Sequence, residues 1–167
     1  MSNNIILTGM PGAGKSTVGV ILAKTVGFDF VDLDIRISKR HGMTLQEIMD
    51  TKGLDFFMSA ERFEAMDTHC QRTVIATGGS VVLYPPAMEH LKQDGTVVYL
   101  DVPLAELSRR LTNIKTRGIA AEPGVTLQDI YDMRTPLYRQ YADVHIACDG
   151  KNTEDIVAMI MGRIGLR

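Results

Sequence analysis

The sequence predicts an α/β fold, an open parallel sheet with helices on both faces. Five short apolar runs recur along the chain, with helix-like stretches between them. The runs are almost continuously apolar, which is typical of parallel strands because helices cover both of their faces. The predicted strands are residues 5–7, 28–33, 74–76, 97–100 and 144–147.

Helix signals fill the spaces between these strands. Strand 1 leads through a glycine-rich loop to a helix that opens at Lys15. After strand 2, Thr44 and Glu47 form a capping box, and Gly53 is placed to end that helix. Pro103 favours the first turn of a helix after strand 4.

The last third of the chain contains two more helices and a long loop. Thr126 with Asp129 opens one helix, and Thr153 opens the other ahead of regularly spaced apolar residues. Before the first of these helices, the apolar periodicity lapses over residues 112–124. Loops of this length are uncommon inside compact domains and often serve as lids over active sites, so we interpret residues 112–124 as a lid. A plain surface connection is the alternative.

Size, composition and charge narrow the class of protein. The 167 residues suit a single domain over residues 1–167, and 45% hydrophobic with 23% charged residues is ordinary globular composition. A formal charge of -2 gives no broad basic face for nucleic acid. No apolar run is long enough to span a membrane, and strand 1 begins too early for a signal peptide. Cys70 and Cys148 lie far apart, which fits a reducing compartment. We expect a cytoplasmic monomer that binds neither nucleic acid nor membrane.

A phosphate-binding loop is the strongest functional signal. Residues 9–17 read Gly-Met-Pro-Gly-Ala-Gly-Lys-Ser-Thr, which fits G-x-x-x-x-G-K-[ST] directly after an apolar strand. Backbone N–H groups of such a loop and the following helix N-terminus bind a polyphosphate. Lys15 can reach the β and γ phosphates, and the Ser16 hydroxyl can hold Mg²⁺. A simple glycine-rich turn is the alternative. The predicted ATP-binding residues in this loop are Gly12, Ala13, Gly14, Lys15, Ser16 and Thr17.

Two acids end the second predicted strand, where ligands of open α/β sheets bind. Asp32 and Asp34 at i and i+2 would share one side of an extended segment. One could hold a magnesium-bound water while the other meets a substrate hydroxyl. Alternatively, Asp34 caps the helix that begins at Ile35, and Asp32 is a solvated strand end.

A glycine turn and two arginines complete the candidate site. Strand 3 ends in Thr77-Gly78-Gly79-Ser80, where the absence of side chains lets a ligand approach the backbone. A tight turn without a ligand is the alternative. Arg117 lies in the predicted lid and Arg134 one helix later. Arginine suits bidentate binding of phosphate or carboxylate, although single surface arginines are common.

The order of these motifs resembles the shikimate kinases. The resemblance covers almost the whole chain and includes the phosphate loop, Asp-x-Asp, Phe57 with Glu61, the glycine turn, and the two arginines. It implies a three-layer P-loop kinase fold of the nucleoside monophosphate kinase type, with a five-stranded parallel sheet in the order 2-3-1-4-5. It also implies an acceptor-binding region at about residues 34–62.

The resemblance implies the roles of residues on the ATP side. Lys15 and Ser16 would bind ATP and Mg²⁺, and Asp32 would contact the metal through its bound waters. Arg109 or Arg110 would flank the adenine, and we choose Arg110.

It also implies the roles of residues on the acceptor side. Asp34 would orient the acceptor hydroxyl and take its proton, Arg134 would pair with the shikimate carboxylate, and Arg117 would stabilise the transferring phosphoryl group. The implied catalytic residues are Lys15, Asp34 and Arg117. The implied substrate-binding residues are Asp34, Gly78, Gly79, Ser80 and Arg134.

The chain departs from the family pattern in three places. Met58 stands where the family's F-R-x-x-E has arginine, Ser80 replaces the third glycine of the turn, and residues 117–120 differ from the usual R-P-L-L. A hydrogen bond to a charged group contributes about 1.5 to 3 kcal/mol, so loss of the arginine alone weakens acceptor binding by roughly ten- to a hundredfold. If residues 56–69 form a helix, Arg62 lies one turn beyond Met58 and could replace it, or it could be a solvated surface residue.

The sequence therefore predicts an ATP-dependent kinase of a small hydroxylated metabolite, with shikimate the leading acceptor. Met58 keeps open a kinase of the same fold acting on another metabolite such as gluconate. A regulator that binds ATP without catalysis is the third hypothesis.

Overall fold

Five parallel strands form one sheet in the order β2-β3-β1-β4-β5, which confirms the predicted α/β class and strand order. The structure, a computed structural model, describes residues 3–111 and 119–166. The strands are β1 Asn4–Thr8, β2 Asp29–Asp32, β3 Thr73–Ala76, β4 Gly95–Asp101 and β5 Val144–Ala147. The central strand, β1, pairs with β3 on one side and β4 on the other.

Eight α-helices are present in the described part of the chain. They are α1 Lys15–Val26, α2 Leu33–His41, α3 Leu45–Lys52, α4 Leu54–Met66, α5 Pro85–Gln93, α6 Leu104–Arg110, α7 Leu127–Tyr141 and α8 Thr153–Ile164. A short 3₁₀ turn, Val81–Leu83, precedes α5. None of the helices within residues 3–111 and 119–166 combines the length and apolar character needed to cross a membrane.

Helices cover both faces of the sheet. Alternate residues of β1 accordingly belong to different apolar clusters. Ile5 and Leu7 pack with residues of α1, α7 and α8, whereas Ile6 packs with residues of α5 such as Met88. A third cluster joins α2, α3 and α4 through Ile37, Ile48 and Phe57. This third cluster carries the predicted acceptor region.

Local capping signals fix several helix starts as predicted. The Thr44–Glu47 and Thr126–Asp129 capping boxes are both formed. Helix α8 begins at Thr153, although Asn152 supplies the cap. Helix α6 begins one residue after Pro103, which occupies the N-cap position.

Two predicted boundaries differ from the structure. The helix considered at residues 56–69 lies at Leu54–Met66, and Gly53 both ends α3 and precedes α4. The second strand, predicted at residues 28–33, ends at Asp32 because the side chain of this residue caps α2. This early end of β2 changes the orientation of the two predicted acids.

Candidate active site

The phosphate loop connects β1 to α1 and closes around the Lys15 side chain. Gly12 and Gly14 adopt φ of 83° and 91°, a left-handed conformation that favours glycine. The Lys15 Nζ atom donates hydrogen bonds to the backbone oxygens of Gly9 (2.8 Å) and Met10 (2.9 Å). The ammonium group is therefore held inside the curve of the loop.

Burial lowers the pKa of Lys15 to about 8, and the carboxylates of Asp34 and Glu61 act in the opposite direction. An ammonium group that has lost hydration gains from an anionic ligand, because the ligand replaces the missing solvation. The lowered pKa and the curve of the loop both favour a phosphate at this point.

Ser16 and Asp32 meet at the start of α1. The Ser16 hydroxyl donates to Asp32 Oδ2. The other carboxylate oxygen, Asp32 Oδ1, accepts from the backbone N–H groups of Asp34 (2.9 Å) and Ile35 (3.2 Å). Mg²⁺ that is bound by phosphates and water takes only a few ligands from the protein. A hydroxyl next to a carboxylate can supply them.

The prediction that Asp32 and Asp34 share one side of an extended segment is wrong. Because β2 ends at Asp32, Asp34 lies in the first turn of α2. The alternative that Asp34 is the helix cap is also wrong, since Asp32 caps α2. The helical turn separates the two acids, so that Asp32 contacts Ser16 and Asp34 lines the cavity described next.

A cavity of about 520 Å³ lies beside the phosphate loop, at the carboxyl ends of β1, β2 and β3. It brings together most of the predicted site residues. Those that line it are Gly12, Gly14, Lys15, Ser16, Thr17, Asp34, Gly79, Ser80, Arg110 and Arg134. Ala13 is instead buried in the core behind the loop, and Arg117 lies outside the described residues.

Glu61 lines the cavity, although sequence reasoning assigned it no role. It projects from α4, is 3% exposed, and accepts a 2.5 Å hydrogen bond from the Ser80 hydroxyl at Oε2. A Cβ atom added to Gly78 would lie 2.5 Å from this oxygen and 3.1 Å from Asp34 Oδ1. Gly78 therefore leaves space that both carboxyl groups border.

The two carboxyl groups are poorly solvated and bind protons more tightly than free acids. Burial, with Asp32 as a second cause, raises the pKa of Asp34 to about 6, although Lys15 opposes it. Burial, followed by the charge of Asp34, raises the pKa of Glu61 to about 7, against the hydrogen bond from Ser80. Above pH 7 both carboxyl groups are mostly ionised, so the cavity then holds two negative charges close together.

Arg134 provides a buried positive charge opposite these acids. Its side chain extends from α7, is 2% exposed, and donates from Nη2 to the Ala120 backbone oxygen (2.8 Å). A Cβ atom on Gly79 would lie 3.1 Å from Arg134 Nη1, so the glycine allows this close approach. Arg134 Nε and Asp34 Oδ1 are both buried, and neither has a hydrogen-bond partner within the described residues.

Tyr138 supports the glycine turn from the next turn of α7. Its hydroxyl donates to the Gly79 backbone oxygen (2.7 Å), and its ring stacks on Tyr99 of β4 at 5.4 Å. The sequence analysis gave Tyr138 no role, because no pattern indicated its contact. Helix α7 thus holds both the turn and the arginine beside it.

Arg110 closes the ATP side of the cavity. Its Nη1 atom donates to the Gly12 backbone oxygen (3.0 Å), and its Nε atom pairs with Glu106 (2.9 Å). Arg109 also pairs with Glu106 but is 77% exposed and does not line the cavity. The geometry favours Arg110 over Arg109 as the arginine near a bound nucleotide.

The position of the missing arginine is occupied by an apolar side chain. Met58 is half-buried and packs against the third cluster. The Arg62 guanidinium lies 4.9 Å above the Tyr84 ring and outside the lining of the cavity. This placement does not support the hypothesis that Arg62 replaces the arginine.

Comparison with known proteins identifies the family. The family model described as shikimate kinase matches residues 11–164. The chain belongs to the shikimate kinase family. The predicted family and the prediction of a small-molecule kinase are therefore confirmed, and ATP is the phosphoryl donor that such a kinase implies.

Individual shikimate kinases resemble the chain over most of its length. One from Persephonella marina is 35% identical over 96% of this chain and 98% of its own. One from Nitrosomonas europaea is 41% identical over 87% of this chain and 70% of its own. The structure of a shikimate kinase from Acinetobacter baumannii in complex with shikimate has a TM-score of 0.88 at 34% identity, covering 97% of this chain and 92% of that one.

Proposed function

We propose that this shikimate kinase homologue transfers the γ-phosphoryl group of ATP to the 3-hydroxyl of shikimate, giving shikimate 3-phosphate and ADP. The family match points to shikimate among possible acceptors, and one observation of the site supports an acceptor that carries both a hydroxyl group and a carboxylate. Beside the phosphate loop, one cavity has a buried carboxylate oxygen of Asp34 and a buried guanidinium nitrogen of Arg134 without partners among the described residues. A molecule with a hydroxyl group and a carboxylate satisfies both atoms, because the first donates and the second accepts.

Asp34 is the group that we assign to the attacking hydroxyl. With a pKa of about 6 it is mostly ionised at neutral pH, so it can accept a hydrogen bond from the hydroxyl and then its proton. Its position at the start of α2 is fixed through its backbone N–H, which donates to Asp32. The hydroxyl oxygen is thereby aligned with the terminal phosphate.

Arg134 is assigned to the acceptor carboxylate, and Gly78, Gly79 and Ser80 to the wall of the acceptor pocket. A guanidinium that already donates to Ala120 is fixed in orientation, so it binds a carboxylate with little further loss of entropy. Phosphoryl transfer depends mainly on such positioning and on charge stabilisation.

The phosphate loop is assigned to ATP, with Lys15 next to the β and γ phosphates and Arg110 beside the nucleotide. The backbone of residues 12–17 would bind the phosphates at the N-terminus of α1. The assignment of Arg117 to the transferring phosphoryl group rests on the sequence pattern alone.

The residues present fit a magnesium ion at Ser16 and Asp32. Their contact supports a site in which the hydroxyl binds the metal directly and the carboxylate acts through water, as expected from the sequence. Bound Mg²⁺ would neutralise charge on the β and γ phosphates. Ser16 and Asp32 would hold it next to Lys15, while the remaining steps use the protein's own side chains.

The proposal extends to the organisation of the protein. We assign residues 1–167 to one P-loop kinase domain, with the acceptor region at about residues 34–62. The lid assigned to about residues 112–124 falls largely outside the described residues. The enzyme acts as a cytoplasmic monomer with no nucleic-acid or membrane partner. Light scattering of the purified protein with and without ligands tests the monomer.

Acceptor preference tests the proposed reaction directly. ADP release is measured with ATP and Mg²⁺ in the presence of shikimate, gluconate, homoserine or nucleoside monophosphates. We expect the highest kcat/KM with shikimate. Strong turnover with one of the other compounds, or binding of ATP without any acceptor-dependent turnover, would refute the assignment.

Arg134 variants test the carboxylate contact. Arg134→Met should raise the KM for shikimate by about tenfold or more, since a charged hydrogen bond is lost, while the KM for ATP changes little. Arg134→Lys keeps the charge and checks for misfolding. Arg139→Met, on the same helix but 55% exposed beside Asp101, is the matched control and should leave both KM values unchanged. An unchanged shikimate KM in Arg134→Met would contradict the carboxylate contact.

A further inference from the structure

Position 58 and the buried Glu61 lie on the same face of α4. They are three residues apart within one helix, so side chains at the two positions are neighbours. An arginine at position 58, as in the family pattern, could therefore reach the Glu61 carboxylate. Met58 cannot donate a hydrogen bond, and the next arginine, Arg62, lies over the Tyr84 ring.

The Ser80 hydroxyl contacts Glu61 from the glycine turn. Ser80 occupies the turn position where the family pattern has glycine, which has no side chain to donate. In this chain Ser80 is 4% exposed, and its hydroxyl donates to Glu61 Oε2. The side chain makes no capping bond to the 3₁₀ turn that follows, so its hydroxyl is not needed there.

Two of the chain's departures from the family pattern thus concern one carboxyl group. Glu61 lies at the cavity wall with Asp34 across the space left by Gly78. A buried carboxylate without a hydrogen-bond donor destabilises the fold, which favours contact of the carboxylate with any nearby cation or water. Lys15 and Arg134 are cations that interact with Glu61 and that the proposed reaction needs.

We propose that Ser80 is a positioning residue that substitutes for the missing arginine at position 58, holding Glu61 in place beside Asp34 so that Lys15 and Arg134 stay available for ATP and the acceptor. The inference rests on the proposed function. It makes Met58 and Ser80 a coupled pair: the Ser80 hydroxyl is needed when position 58 is methionine and becomes dispensable when position 58 is arginine.

A double-mutant cycle tests the coupling. The proteins are the wild type, Ser80→Ala, Met58→Arg and the double variant. In the wild-type background, Ser80→Ala should raise the KM for shikimate roughly tenfold or more, with little change in the KM for ATP. In the Met58→Arg background, the same substitution should raise the shikimate KM by less than about threefold, because the new guanidinium holds Glu61.

Three further variants separate positioning from general effects. Ser80→Thr keeps the hydroxyl and should retain most of the shikimate affinity that Ser80→Ala loses. Met58→Leu changes the side chain without adding a hydrogen-bond donor and should leave the Ser80→Ala effect at its wild-type size. Ser59→Ala removes an exposed hydroxyl from α4 and should leave both KM values unchanged.

The outcomes distinguish this inference from the proposed function. If wild-type protein phosphorylates shikimate but Ser80→Ala has equal effects in both backgrounds, or none in either, the coupling is refuted and the proposed function stands. If no shikimate turnover occurs, the proposed function fails, and the cycle is read from thermal unfolding of the four proteins instead. There, Ser80→Ala should lower Tm in the Met58 background and much less with arginine at position 58, and equal shifts would refute the coupling.

Discussion

Replacing Glu61 by glutamine should remove part of the pH dependence of stability. Burial raises the pKa of this carboxyl to about 7 in the folded chain, whereas it is near 4.5 when unfolded. A carboxyl with a raised folded pKa binds its proton more tightly when folded. The resulting stability is complete below pH 4.5 and is lost as the pH rises through 7.

The two pKa values set the magnitude. At pH 8.5 the carboxyl is ionised in both states and the proton contributes nothing. At pH 5.5 the folded state is mostly protonated and the unfolded state mostly ionised, which stabilises the fold by about 2 kcal/mol. Glutamine cannot ionise, so Glu61→Gln lacks this difference. The raised pKa of Asp34 acts in the same direction and remains in the variant.

Urea unfolding of the ligand-free protein at pH 5.5 and 8.5 measures the effect. We expect the wild type to lose about 2 kcal/mol more than Glu61→Gln between the two pH values. Glu89→Gln, which changes an exposed carboxylate on α5, should follow the wild type. Equal pH dependence in wild type and Glu61→Gln would show that Glu61 is ionised normally, and the reasoning about its burial would fail.

The remaining predictions concern the two sides of the cavity. Lys15→Met should reduce kcat by at least about a thousandfold, because the phosphates lose their central cation, while circular dichroism and Tm show an intact fold. Gly78→Ala should raise the shikimate KM by about tenfold or more, since its Cβ would lie 2.5 Å from Glu61 Oε2 and displace the carboxyl groups. ATP affinity, measured by isothermal titration, should be unchanged in Gly78→Ala. Retained turnover in the first variant, or an unchanged KM in the second, would contradict these roles.

Local sequence signals predicted much of the fold. The capping boxes at Thr44 and Thr126 fixed helix starts because each involves residues only three apart. The glycine loop was predictable for the same reason. The strand order came from the resemblance to a family, since the crossover from β2 to β3 depends on contacts between distant segments.

One local helix cap and several contacts between distant segments account for what the sequence did not predict. The Asp-x-Asp pattern suited a strand, but the hydrogen bonds from the Asp34 and Ile35 N–H groups to Asp32 started a helix and turned Asp34 toward the cavity. Ser80 and Glu61 lie 19 residues apart, and Arg110 and Gly12 lie 98 apart. No periodicity links such pairs, so their contacts became visible only with the fold.

The unpartnered atoms in the cavity connect stability with binding. A buried donor or acceptor without a partner destabilises a fold by about 1 to 3 kcal/mol, and both Asp34 Oδ1 and Arg134 Nε are of this kind. An acceptor that forms hydrogen bonds with both atoms removes this destabilisation when it binds. The free energy recovered in this way contributes to its affinity. Ser80 does the same for Glu61 without a ligand. Among the described residues, the cavity therefore leaves unpartnered one atom of each residue that we assign to the acceptor, Asp34 and Arg134, while the Ser80 hydroxyl satisfies the neighbouring Glu61.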